Sequence, residues 1–170
     1  MTTAKRIRKP SYKKPESVKE LERLANEKEF ARYPNFPYPV KACYRDDTAN
    51  GLTKCVIVWL KLHGCQAERI NTTGRMIDER YNVEDVTGRT RQIGSVRWIY
   101  STTTNGSADI SATIAGRSVK IEIKVGRDQQ SDAQKRYQQE IEAAGGVYLI
   151  VHNFTEFVEW WDAYTKGGAR

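Results

Sequence analysis

Between Gly106 and Val125 the sequence alternates in hydrophobicity twice, and no other stretch limits the fold as tightly. Ile110, Ala112 and Ile114 alternate with mostly polar residues in the first half, and Val119, Ile121, Ile123 and Val125 do so in the second. Period two in both halves implies two strands. Gly116-Arg117 suits a two-residue hairpin loop with glycine first, which sets Ile110 opposite Ile123, Ala112 opposite Ile121 and Ile114 opposite Val119. One side of the hairpin is then wholly apolar and belongs on a core. The other side carries Asp109 opposite Lys124 and Ser111 opposite Glu122, so Asp109, Glu122 and Lys124 converge on one face. A slip of one residue would bury the charges and expose the isoleucines.

Two carboxylates held side by side on a stiff sheet repel unless a cation joins them, and Mg²⁺ is commonly held by one or two carboxylates together with substrate phosphate oxygens. Lys124, one side-chain repeat beyond Glu122, points at the same spot. Acids alternating with lysines are also what the solvated face of any amphipathic hairpin looks like, and both readings stand on these residues alone.

Beyond the hairpin, Ser131-Asp132-Ala133-Gln134 opens a helix with Gln134 at the last position of a capping box, Ala133, Tyr137, Ile141 and Ala144 on one face, and Gly145-Gly146 closing it. The nearly continuous apolar run Gly146 to Val151 reads as a strand buried on both faces, inside the sheet. Thr155 caps a last helix whose apolar side is Phe157, Val158, Trp161 and Tyr164. Trp160 and Trp161 suit core packing better than base stacking.

Upstream, Leu52, Cys55, Val56, Trp59 and Leu60 follow helical spacing, and Gly64 stands where a helix ends, so a helix spans 49–63. A strand follows at Cys65 to Ile70 and another at Ser95 to Ser101, while the periodicity of 71–94 is too weak to read. Ser17 and Glu20 have capping-box spacing before Val18, Leu21, Leu24 and Ala25, giving a short helix over 18–29 that packs on the main domain. All five prolines lie within the first 40 residues. Residues 1–40 therefore read as basic arm, short helix and Pro-rich connector, and 41–170 as the main domain.

Charge sharpens this division. The formal net charge is +7, and Lys5, Arg6, Arg8, Lys9, Lys13 and Lys14 supply six of those charges before the first acid. The excess belongs to the arm, which is either a solvated tail or a phosphate-binding element. The longest apolar runs, Val56–Leu60 and Val147–Val151, fall far short of the roughly 20 residues of a membrane span, and the N-terminus lacks the apolar stretch of a secretory signal. Cys43, Cys55 and Cys65 are odd in number and form no C-x-x-C pair, against a disulfide framework or zinc site, so an intracellular, reduced protein is expected. With only His63 and His152, catalysis would fall to carboxylates, lysines and a metal.

The chain resembles the VRR-NUC nucleases of the PD-(D/E)XK superfamily over roughly residues 50–160. The resemblance is carried by Trp59-Leu60-Lys61-Leu62-His63-Gly64, Arg69-Ile70-Asn71-Thr72-Thr73-Gly74, Gly106-Ser107-Ala108-Asp109-Ile110, Ile121-Glu122-Ile123-Lys124, and Ser131-Asp132-Ala133-Gln134 leading into Gly145-Gly146-Val147-Tyr148. It implies a restriction-endonuclease-like α/β fold, a mixed β-sheet flanked by α-helices, and DNA cleavage with Mg²⁺ or Mn²⁺. It also implies Asp109 and Glu122 as metal ligands with the Ile123 carbonyl as a third, Lys124 as the lysine serving the attacking water, and Gln134 as an auxiliary polar residue. Stand-alone members resemble Holliday-junction-type or other structure-selective nucleases, often of viral or mobile-element origin, and tend to dimerise. Two departures are visible. Ala108 stands where proline precedes the first acid, and Ala49-Asn50-Gly51 stands where relatives often carry a glutamate, leaving Asp46 or Asp47 as substitutes in a second metal site. Arg69, Asn71 and Arg75, with Lys5, Arg6, Arg8 and Lys9 of the arm, are candidates for contacts to the DNA backbone. The competing classes are a non-catalytic nucleic-acid-binding protein on the same scaffold, and a toxin or regulator acting by protein contact. No small-molecule cofactor and no membrane partner is expected.

Overall fold

The computed structural model describes residues 12–38, 40–71, 74–99 and 104–167. Lys5, Arg6, Arg8 and Lys9 lie outside them, as do Tyr100 and Ser101 at the end of the expected 95–101 strand.

The double alternation forms a hairpin of β6 (Ile110–Ile114) and β7 (Arg117–Ile123). Its turn differs from expectation. Ala115 and Gly116, at φ 49° and 78°, form the two-residue loop, giving the all-positive φ pair of a type I′ turn. Partners therefore move by two residues: Ile110 faces Ile121, Ser111 faces Lys120 and Ala112 faces Val119. Side chains repeat every two residues, so this displacement leaves each face intact. Ile110, Ala112, Ile114, Val119, Ile121 and Ile123 are all at most 4% exposed. Hydrophobic alternation selects the face but cannot choose between registers two residues apart, because both bury the same six side chains.

The hairpin sits at the centre of a four-stranded sheet ordered β1-β6-β7-β8, with β1 (Gln66–Arg69) antiparallel to β6 and β8 (Val147–Val151) parallel to β7. The sequence places β8 inside the sheet, yet it is the last strand among the described residues. Its apolar run reflects cover from helices on both faces, with Val147 and Leu149 packed on the core and Tyr148 under Tyr137. Helix α3 (Asp132–Ala143) makes the crossover that a parallel pair requires.

The apolar face of the sheet is covered by α2 (Ala49–Leu62) and α4 (Phe154–Lys166), with α1 (Glu16–Arg32) packed on both, and Val18, Leu21, Leu52, Val56, Leu60, Phe154 and Phe157 of these helices join the hairpin residues in one core. Trp161 belongs to that core and Trp160 packs against it. The result is a mixed sheet flanked by helices. Helix α2 is capped by Thr48, whose side chain accepts from the Gly51 amide, and Gly64 follows it at φ 77°. Two expected caps are replaced. Helix α1 starts after Pro15 with no side-chain cap, since Glu20 pairs with Arg23 and Ser17 Oγ lies 2.9 Å from Thr155 Oγ1. Asn153, not Thr155, caps α4.

Between β1 and β6 the chain forms two small ribbons, β2 (Arg75–Asp78) with β5 (Val96–Ile99), and β3 (Tyr81–Glu84) with β4 (Thr90–Ile93). Met76, Tyr81, Val86, Ile93 and Trp98 are exposed on them. These ribbons have no fully buried face, which explains why the sequence of 71–94 shows no clear period. No helix among the described residues is long and apolar enough to cross a membrane.

Candidate functional site

At its Glu122–Lys124 end the polar side of the hairpin does not face water, although Thr113 and Ser118 at the turn end are exposed. Helix α3 lies over the Glu122 end, leaving Glu122 2% and Lys124 6% exposed. Asp109 immediately precedes β6. Its carbonyl accepts from the Ile70 amide at 2.8 Å and its Oδ2 accepts from the Ile123 amide at 2.9 Å, tying the first acid to the strand that bears the second. The two-residue register correction separates Asp109 from direct opposition to Lys124, and the three groups still share one end of one face.

Glu122 Oε1 carries two donors, Gln134 Nε2 at 2.5 Å and Lys124 Nζ at 3.1 Å. Its other oxygen, Oε2, is buried with no hydrogen-bond partner among the described residues. Burial, then the negative charge of Asp109, push the Glu122 carboxyl above its ordinary value, with Lys124 opposing. For Lys124, burial works toward a lower value, but bonds to Glu122 and to Asp128 Oδ2 at 3.3 Å outweigh it and the net shift is upward. The lysine stays charged. The Lys124 carbonyl also lies 3.1 Å from His152 Nδ1, and its amide donates to Val151, fixing the strand end against β8.

Gln134 both closes the capping box and reaches the buried acid. Its Oε1 accepts from the Ser131 amide and its backbone N–H donates to Ser131 Oγ, completing the capping box, while Nε2 reaches Glu122. The loop before Asp109 is pressed onto the same helix start: Gly106, at φ 85°, comes so close that a Cβ would meet the Ala133 carbonyl at 2.5 Å and the Gln134 nitrogen at 2.8 Å.

Both substitutes for a second metal site have protein partners. Asp46, 6% exposed, accepts from the Tyr12 hydroxyl at 2.7 Å and from the Phe154 amide at 3.2 Å, anchoring the start of α4. Asp47 pairs with Arg45. Within the turn Ala49-Asn50-Gly51, position 51 has no room for a side chain, because a Cβ would sit 2.2 Å from the Arg45 carbonyl oxygen, and Asn50 Oδ1 accepts from Arg69. Arg69 thus stands at the Asp109 end of the sheet, opposite Ile110, exposed Asn71 lies just beyond it, and Arg75 opens β2.

Asp128, Tyr148 and His152 carry no site signal in the sequence. The one clue to Tyr148 is its place in β8, where it pairs with Lys120 and so faces the Glu122 side. No group of three or more His, Cys, Asp and Glu side chains fit to hold a metal occurs among the described residues. The donors that are present still fit a hard cation such as Mg²⁺, which keeps several waters and needs only one or two carboxylates: Glu122 Oε2 is unsatisfied, and Asp109 Oδ1 has no hydrogen bond among the described residues. No protein-family model matches the chain, and comparison with curated proteins gives no match.

Proposed function

We propose that this chain is a Mg²⁺- or Mn²⁺-dependent endonuclease of restriction-endonuclease-like fold that hydrolyses DNA phosphodiesters, with branched or nicked DNA as its preferred substrate class. The observation that carries the reading is a carboxylate buried to 2% exposure beside a second acid, with one oxygen fully engaged and the other left without a partner. A buried charge half-satisfied in this way is unfavourable unless something else completes it.

Glu122 Oε2 and Asp109 would ligate the cation, with the Ile123 carbonyl beside them. Bound there, a divalent ion polarises the phosphate and lowers the pKa of water. Gln134 and Lys124, both on Oε1, set the rotation of the carboxylate and leave the buried Oε2 as the oxygen that would meet the ion. Lys124 adds a fixed positive charge where negative charge develops on the phosphorus oxygens. Its buried ammonium cannot wander, because Glu122 and Asp128 hold it from two sides. Arg69, Asn71 and Arg75, with Lys5, Arg6, Arg8 and Lys9, would contact the DNA backbone, so binding should weaken steeply with salt.

The test is cleavage of linear, flapped and four-way-junction DNA by the full chain with Mg²⁺ or Mn²⁺. Isosteric variants are needed, because Glu122→Ala would also remove the acceptor of the Gln134 amide and leave the space under α3 unfilled. Asp109→Asn, Glu122→Gln and Lys124→Met should each lower cleavage by at least roughly 100-fold. Wild-type-like nicking by Glu122→Gln would remove the mechanism, and cleavage of RNA alone would overturn the substrate assignment.

A further inference from the structure

Among the described residues, four buried side-chain polar atoms lack a hydrogen-bond partner: Trp59 Nε1, Tyr164 Oη, Glu122 Oε2 and Tyr148 Oη. The first two belong to α2 and α4 on the apolar side of the sheet. The last two share the face under α3. Across the parallel β7–β8 pair Lys120 lies opposite Tyr148 and Glu122 opposite Ile150, so Tyr148 stands one strand over and one side-chain repeat back from Glu122. The same helix roofs both: Gln134 donates to Glu122, and Tyr137, one turn later, meets the Tyr148 ring edge-on with centroids 6.3 Å apart. Burial and then the Glu122 carboxylate push the Tyr148 phenol up to about 12, and the nearby Gln130 amide opposes this as a donor that makes no hydrogen bond to the phenol oxygen and is committed to Gln138, so the phenol remains a neutral hydroxyl at physiological pH.

A buried hydroxyl and a buried carboxylate oxygen, near enough to influence each other yet not bonded, mark a space that a polar guest completes. A bare water would answer the hydroxyl, but Lys124 brings one positive charge to the two carboxylates Glu122 and Asp109, and water adds none for the second. A hydrated divalent cation answers both, since its charge meets Oε2 and its waters are strong donors for the phenol oxygen. The geometry points to Tyr148 as a positioning residue of the cation site, accepting from the hydration layer of a divalent ion held on Glu122. This rests on the metal-dependent reading of the site and adds a residue to it. Residues that act on a metal through an intervening group typically change affinity by about 10–100-fold when altered.

The experiment compares the full chain with Tyr148→Phe, which keeps the ring against Tyr137 and removes only the hydroxyl. Mn²⁺ binding is measured by calorimetry, and melting temperature is measured with chelator and with saturating Mn²⁺. The expected result is a Tyr148→Phe protein that melts at or above wild type without metal, binds Mn²⁺ roughly 10-fold more weakly, and gains less melting temperature from it. Unchanged Mn²⁺ affinity in Tyr148→Phe would overturn the assignment and leave the metal-dependent reading standing. So would a metal-free variant that melts lower with unchanged affinity, because the hydroxyl would then be a structural hydrogen-bonding group. A wild-type chain that binds no Mn²⁺ would remove the metal-dependent reading and the role of Tyr148 together.

Discussion

Gln134 joins helix start to carboxylate: its Oε1 accepts from the Ser131 amide at 2.9 Å while its Nε2 donates to Glu122 Oε1. The two halves of one amide therefore serve fold and site at once, and they can be separated. Gln134→Glu keeps an acceptor for the capping box but loses the donor and adds a negative charge beside Glu122. It should retain a folded α3 by circular dichroism while DNA cleavage falls. Gln134→Ala loses both contacts and should cost on the order of 1–2 kcal/mol in denaturant unfolding, as loss of a cap and a charged hydrogen bond would.

The raised pKa of Glu122 has a pH consequence. An acid whose folded-state pKa lies above its unfolded value, here above 4.5, contributes stability that is present at low pH and lost as pH rises through the folded value. In the absence of metal, wild type should therefore lose melting temperature relative to Glu122→Gln as pH is raised from about 4 to 8, and the gap should close again on adding Mn²⁺. A gap that stays constant across that range would show that Glu122 is not held against its charge.

Ala115 occupies the left-handed region at φ 49°, where an L residue with a β-carbon is strained. Asparagine followed by glycine is the favoured type I′ pair, so Ala115→Asn should stabilise the chain by about 1 kcal/mol in denaturant unfolding without altering cleavage. Destabilisation would indicate that the turn lies at Gly116-Arg117 after all.

Gly106 needs both its positive φ of 85° and its missing β-carbon, because α3's first turn is in the way. Gly106→Ala should cost roughly 1–3 kcal/mol and, by pushing the Asp109 loop off α3, lower cleavage more than Ala115→Asn does. Thermal melts alongside the cleavage assay measure the two effects.

Much of the scaffold was legible because its signals are local. The spacing of Leu52, Val56 and Leu60 is repeated on every turn of α2, and the Ser131…Gln134 box closes within four residues. Reading failed where the decisive neighbour is distant in sequence. Thr155 has the chemistry of a cap, but Asn153 takes that role while Asp46, 108 residues from Phe154, binds the first amide of α4. Strand β8 looks interior because its side chains are apolar on both faces, yet only the hydrogen-bonding direction distinguishes an edge from a centre, and side-chain pattern carries no information about that direction.

The hairpin shows where the division falls. Its alternation by itself determined that two strands form, that six apolar residues are buried, and that Asp109, Glu122 and Lys124 share the opposite face. Period two is blind to a shift of two, so which residue faces which was left to the Ala115-Gly116 turn. Whether the polar face meets water or protein was also open, since nothing in residues 106–125 encodes the helix that begins at Asp132. Packing of α3 against β8, which brings Gln134 onto Glu122, decided it at that end of the hairpin. That packing turns three charges of an ordinary amphipathic hairpin into a buried, partly unsatisfied group, because burial strips away the solvent that would otherwise complete Glu122.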